Sequence, residues 1–136
     1  MEKILETILL TQTFGVHQDW EIPIPGFFIV ASIDPSKRSV TDFSDDEMTE
    51  LALIIKKVRS AMRSALGIET AYFFQNEDTL HGFHVWMMPR YEWMKQFGTK
   101  IESVRPIINF AKETMMTEPV LREVKEAAEK VRNTLG

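Results

Sequence analysis

The stretch SDDEMTELALIIKKVRSAMRSALG, Ser44 to Gly67, constrains the fold more than any other part of the chain. Its first four residues form a capping box, in which the Ser44 hydroxyl accepts from the backbone three residues on and Glu47 reaches back. Apolar residues then recur at helical spacing, at Met48, Leu51, Ile54, Ile55, Val58, Met62 and Leu66, while Lys56, Lys57, Arg59 and Arg63 face elsewhere. Gly67 supplies the stop. A long helix with a single apolar stripe has to lie on another apolar layer.

The segments on either side offer that layer. Upstream, the pattern predicts a strand through Leu10 to Gln18, a Pro-Ile-Pro-Gly turn at Pro23 to Gly26, and an apolar strand FFIVASI from Phe27 to Ile33, stopped by Asp34 and Pro35. Downstream, Glu69 to Gln75 and Gly82 to Arg90 read as strands whose short polar link favours an antiparallel hairpin. After Gly98 the chain turns helical: Pro106 lies near one helix start, and a last amphipathic helix from about Thr117 turns Val120, Leu121, Val124, Ala128 and Val131 inward. The expectation is an α+β chain of one domain, residues 1–136, with a core at about 8–96 and a helical extension at about 99–136.

Composition narrows the function. A net charge of -4 argues against a nucleic-acid surface, and the absence of cysteine rules out disulfides, cysteine nucleophiles and thiolate metal sites. The start MEKILETILLTQTFG has acidic residues and only a short apolar run, so neither a secretory signal nor a membrane span is expected, and the protein is placed in the cytoplasm.

The chemistry concentrates in LHGFHVWMMPRYEW, Leu80 to Trp93. In a strand, His84, Trp86 and Met88 share one face while Phe83, Val85 and Met87 share the other. Gly82 falls on the His84 face and leaves open space beside the imidazole; His81 is out of phase unless a bulge at Gly82 swings it back. A neutral imidazole at a pocket mouth can attack phosphorus if one group orients it and another protonates the leaving group. The three histidines, His17, His81 and His84, could instead suggest a metal site, but strand alternation separates His81 from His84 and no carboxylate spacing completes a ligand set, so no metal is expected.

From roughly Ile8 to Trp93 the chain resembles the histidine triad (HIT) family of nucleotide hydrolases and transferases, whose signature strand reads His-x-His-x-His, then two apolar residues and often Pro-Arg. VWMMPR fixes the register, so the three signature positions fall on Gly82, His84 and Trp86. The resemblance implies that His84, in the middle position, attacks the α-phosphate and carries the nucleotidyl group. His81, displaced by one, or water would protonate the leaving group, and Trp86 stands where the third histidine would be. In the related galactose phosphate uridylyltransferase branch that third position is glutamine; an indole N–H can donate one hydrogen bond but cannot shuttle a proton.

The run VHQDWEIPIPGFFIVASIDPSKR resembles the family's ribose-contacting segment, which implies Asp19 on the ribose hydroxyls and Trp20 against the base. Asn76 stands where the family often has an asparagine, and Thr79 offers a hydroxyl in a link shorter than the family's usual loop, in which Glu77 and Asp78 would repel a polyphosphate that they faced. Arg90 reads either as a phosphate contact or as a surface ion pair, and Lys37-Arg38 as a solvated turn.

The fold implied is HIT-like: an antiparallel sheet with the long helix packed on it, plus C-terminal helices outside the shared region. The function implied is hydrolysis or transfer on dinucleoside polyphosphates or related conjugates through a nucleotidyl-His84 intermediate, with no cofactor, in a homodimer paired through the long helix and a sheet edge. The alternative is a non-catalytic nucleotide-binding module.

Overall fold

A computed structural model of the chain describes residues 6–136. Five strands form one antiparallel sheet: β1 (Thr7–Leu10), β2 (Phe14–Gln18), β3 (Phe28–Ser32), β4 (Ala71–Phe74) and β5 (His84–Pro89), in the spatial order β1-β2-β3-β5-β4. The helices are α1 (Asp45–Leu66), α2 (Val104–Thr114) and α3 (Glu118–Leu135). None of the described helices is long and apolar enough to cross a membrane.

α1 forms as its sequence dictates. Glu47 N–H donates to Ser44 Oγ (3.1 Å) and Ser44 N–H to Glu47 Oε1 (2.8 Å). Asp45, Asp46 and Glu47 sit in the first turn, where the helix dipole favours negative charge. At the other end Gly67 adopts φ 68°, a left-handed conformation that lets its N–H close on Arg63 O (3.0 Å).

The two faces of the sheet meet different layers. Phe14, Val16, Phe28, Val30 and Met87 pack against Leu51, Ile54, Val58 and Met62 of α1 and against Ala128 and Val131 of α3. On the opposite side, Met88, with Trp86 and Phe74 beside it, packs against Ile107, Ile108 and Ala111 of α2 and against Ile22, Ile24 and Phe27 of the loop before β3.

Three expectations need correction. The single strand through Leu10 to Gln18 is in fact two, β1 and β2, turned back at Thr11–Thr13 and paired as a hairpin. The histidine strand begins at His84, not Gly82: pairing with β3 runs regularly from Ala31↔His84 to Phe28↔Met87, and the residues before it form a bent link without a bulge. Gly82 does not leave open space either. A Cβ there would lie 2.9 Å from Pro35 Cα and 3.1 Å from Pro35 O, so the glycine is required by close backbone approach.

Candidate functional site

Strand pairing sets out the site. His17 of β2 stands opposite Ile29 of β3, Ile29 opposite Trp86 of β5, and Trp86 opposite Phe74 of β4, giving a row across one face of the sheet; His84 lies two residues along β5 from that row. A cleft of about 230 Å³ opens over this row. His84, Trp86, Ile29 and Phe74 form its floor, the loop Asp19-Trp20-Glu21-Ile22 one wall, Asn76 and His81 of the β4–β5 link another, and Arg105, Ile108 and Lys112 of α2 the third.

His84 is buried, with 6% of its surface exposed, and its Nδ1 lies 2.7 Å from Gly82 O. A carbonyl only accepts, so Nδ1 carries the proton and Nε2 of the neutral ring keeps a free lone pair. The Trp86 indole crosses the imidazole nearly edge to face, with centroids 4.1 Å apart. This contact follows from the alternation that puts both on one face.

His81 reaches the same cleft, its ring centroid 6.3 Å from that of His84 and 6.1 Å from that of Trp20. The opposite-face placement expected for His81 and His84 does not hold, because the residues before His84 are not in the strand and alternation does not apply to them. The link is fastened from outside. The Arg38 guanidinium donates to Glu77 O (3.0 Å) and to Thr79 O, and Phe83 N–H donates to Lys37 O (2.7 Å). The Lys37-Arg38 pair, expected to be a solvated turn, therefore clamps the segment that carries His81. Lys37 itself lies 3.5 Å from Glu47.

Asp19 is 4% exposed, and its Oδ1 accepts from the N–H groups of Glu21 and Ile22, both at 2.9 Å. Burial pushes its carboxyl above the usual 3.8, while those N–H groups and a hydrogen bond from the Trp86 side chain pull the other way. Trp20 stacks on His17, with centroids 5.3 Å apart and planes 21° apart. His17 backs this wall without lining the cleft, and its Nε2 is buried with no hydrogen-bond partner. Burial, then the nearby His84, hold its pKa below 6.5.

Of the residues singled out from the sequence, the structure brings together His84, His81, Trp86, Asp19, Trp20 and Asn76. Two do not line the cleft. The Thr79 hydroxyl is used locally, accepting from His81 N–H (3.2 Å), and the Arg90 guanidinium donates to Tyr72 Oη (2.8 Å) near the far end of β5. Sequence reasoning missed the α2 wall. The 3-plus-4 spacing of Arg105, Ile108 and Lys112 marks one helix face, but nothing in it says which layer that face covers. Among the described residues no group of three or more His, Asp or Glu is gathered closely enough to hold a metal ion.

No family model matches the chain, and no curated protein does. Solved structures do. A zinc-bound histidine triad family protein from Mycobacterium smegmatis superposes with a TM-score of 0.65 at 16% identity, over 98% of this chain and 84% of that one. A HIT-like protein involved in cell-cycle regulation from Bartonella henselae gives 0.64 at 16% identity, over 96% and 86%. A hypothetical histidine triad nucleotide-binding protein from Sulfolobus tokodaii gives 0.59 at 16%, over 92% and 84%. Coverage this complete takes in α2 and α3 as well as the sheet. With its five-stranded antiparallel sheet, its flanking helices and these likenesses, the chain has the HIT-like fold.

Proposed function

We propose that the cleft binds a nucleotide and that the chain is a nucleotidyl hydrolase or transferase acting on dinucleoside polyphosphates or related nucleotide conjugates. The observation that carries this reading is the 2.7 Å contact of His84 Nδ1 with Gly82 O, which leaves Nε2 as an oriented nucleophile at the floor of the cleft. Nε2 attacks the α-phosphorus; an N–P bond forms as the bond to the leaving group breaks. The departing atom takes the electron pair, and a proton from His81 in its protonated form. Water then attacks the nucleotidyl-His84, gives its proton to His81, and frees the ring. Asp19 would accept from the ribose hydroxyls, Trp20 would lie against the base, and Asn76 would donate to a phosphate oxygen.

One observation favours a second reading, a nucleotide-binding module without turnover. Trp86 stands where the family's third histidine would be and its indole cannot shuttle a proton, so among the triad positions and their neighbour His81 alone is left to move one.

The test is incubation of the purified protein with dinucleoside polyphosphates and nucleoside phosphoramidates. Turnover is expected and should fall by roughly a thousandfold or more in His84→Ala, with a nucleotidyl adduct trapped only on the unsubstituted protein. Undiminished turnover in His84→Ala would remove the mechanism; saturable AMP or GMP binding without product would establish the module instead. The same reading places the protein in the cytoplasm as a homodimer, joined where Leu53 of α1 and Phe73 of the edge strand β4 are 62% and 44% exposed.

A further inference from the structure

Helix α2 contributes two cations to a cleft whose sheet-borne residues supply no permanent positive charge. Arg105 and Lys112 line the cleft from the same helix face as Ile108, whose side chain is buried in the core that fixes that face over the sheet. They stand seven residues apart, about 10 Å along the helix axis.

Their surroundings differ. Lys112 Nζ lies 4.0 Å from Glu21 Oε2, at the loop that carries Asp19. Arg105, exposed at the opposite end of this helix face, makes no hydrogen bond or ion pair among the described residues. The carboxylates lining the cleft do not answer it: Asp19 accepts from two backbone N–H groups, and Glu21 faces Lys112. An unpaired guanidinium lining the same cleft as the proposed nucleophile is suited to a bidentate, charge-assisted contact with phosphate oxygens.

Resting on the nucleotide reading above, we infer that Arg105 is a specificity-determining residue that engages a second anionic group of the ligand, beyond the α-phosphate. It favours nucleotides with a polyphosphate chain over monophosphates and over conjugates with an uncharged leaving group. Lys112 reinforces this selection to a smaller degree, because Glu21 already offsets its charge.

Calorimetry with AMP and ATP in magnesium-free buffer, at two salt concentrations, tests the inference without requiring turnover. The unsubstituted protein should bind ATP roughly tenfold or more tightly than AMP, with the difference shrinking as salt rises. Arg105→Gln should erase most of that preference, and Lys112→Gln a lesser part. Equal affinities for AMP and ATP in the unsubstituted protein, or a preference that Arg105→Gln leaves intact, would overturn the role of Arg105 while the nucleotide site stands. Failure to bind either nucleotide, or the guanine pair GMP and GTP, would overturn both.

Discussion

The face of the sheet under α1 and α3 and the face under α2 solve the same packing problem with different completeness. On the first, two long helices cover Phe14, Phe28, Val30 and Met87 with aliphatic side chains. On the second, the single eleven-residue helix α2 covers only part of the sheet, and the cleft left beside it holds His84 on the floor and Asp19 on the loop wall, the two buried ionisable side chains among the described residues. Burying polar groups is tolerable there because each has a partner, Gly82 O for His84 and the turn N–H groups for Asp19. One face therefore supplies stability, and the other gives up coverage to keep a cleft.

The largest effect should come from the covered face. Phe28 is fully buried, so Phe28→Ala leaves a cavity that should cost about 3–5 kcal/mol, a large share of the roughly 5–15 kcal/mol typical of whole proteins. Urea unfolding measures the loss, and nucleotide affinity of the folded fraction should stay within about threefold of the unsubstituted value. A collapse of affinity without loss of stability would erase the distinction between the faces.

Gly82 joins the two regions, because it packs on the Pro35–Lys37 backbone and also holds the His84 ring. The Cβ added in Gly82→Ala would sit 2.9 Å from Pro35 Cα, which belongs to backbone and cannot rotate away. Relief requires a backbone shift costing roughly 1–3 kcal/mol, and the shift moves the carbonyl that fixes the imidazole. Turnover should therefore fall more than AMP affinity does. Equal losses in both would mean that Gly82 serves packing alone.

How much of this could be read in advance depended on whether the signal was local. The α1 boundaries were legible because the capping box and the Gly67 stop each lie within a few residues, and the shared face of His84 and Trp86 was legible from strand alternation, whereas Asp19 and Trp20 were marked only by the family resemblance. The β1–β2 hairpin was not, since Thr11, Gln12 and Thr13 carry neither glycine nor proline to announce a reversal. Arg90, open between a phosphate contact and a surface pairing in the sequence, lies at the end of β5 away from His84, where its guanidinium donates to Tyr72 of β4. Arg38 and Arg105 depend on contacts between segments far apart in sequence, and a charged residue on a turn or helix gives no sign of which carbonyl or cleft it meets.

The smallest expected effect is a pH dependence at the open face. Burial and His84 hold the His17 pKa below 6.5, so the unfolded chain takes up a proton there before the folded one does. As pH falls below 6.5 the unfolded state gains protons first, and stability declines until the folded state is protonated too. Asp19 acts in the opposite sense and in a separate window: its carboxyl is held above 3.8, so the folded state protonates first and falling pH relieves part of the cost of burying that charge. His17→Phe keeps a ring against Trp20 while removing the titrating nitrogen. Urea unfolding between about pH 7 and pH 5 should show a shallower loss of stability in His17→Phe than in the unsubstituted protein. Identical slopes would mean that His17 titrates alike in both states, and that the partner-less Nε2 carries no penalty the α1 face avoids.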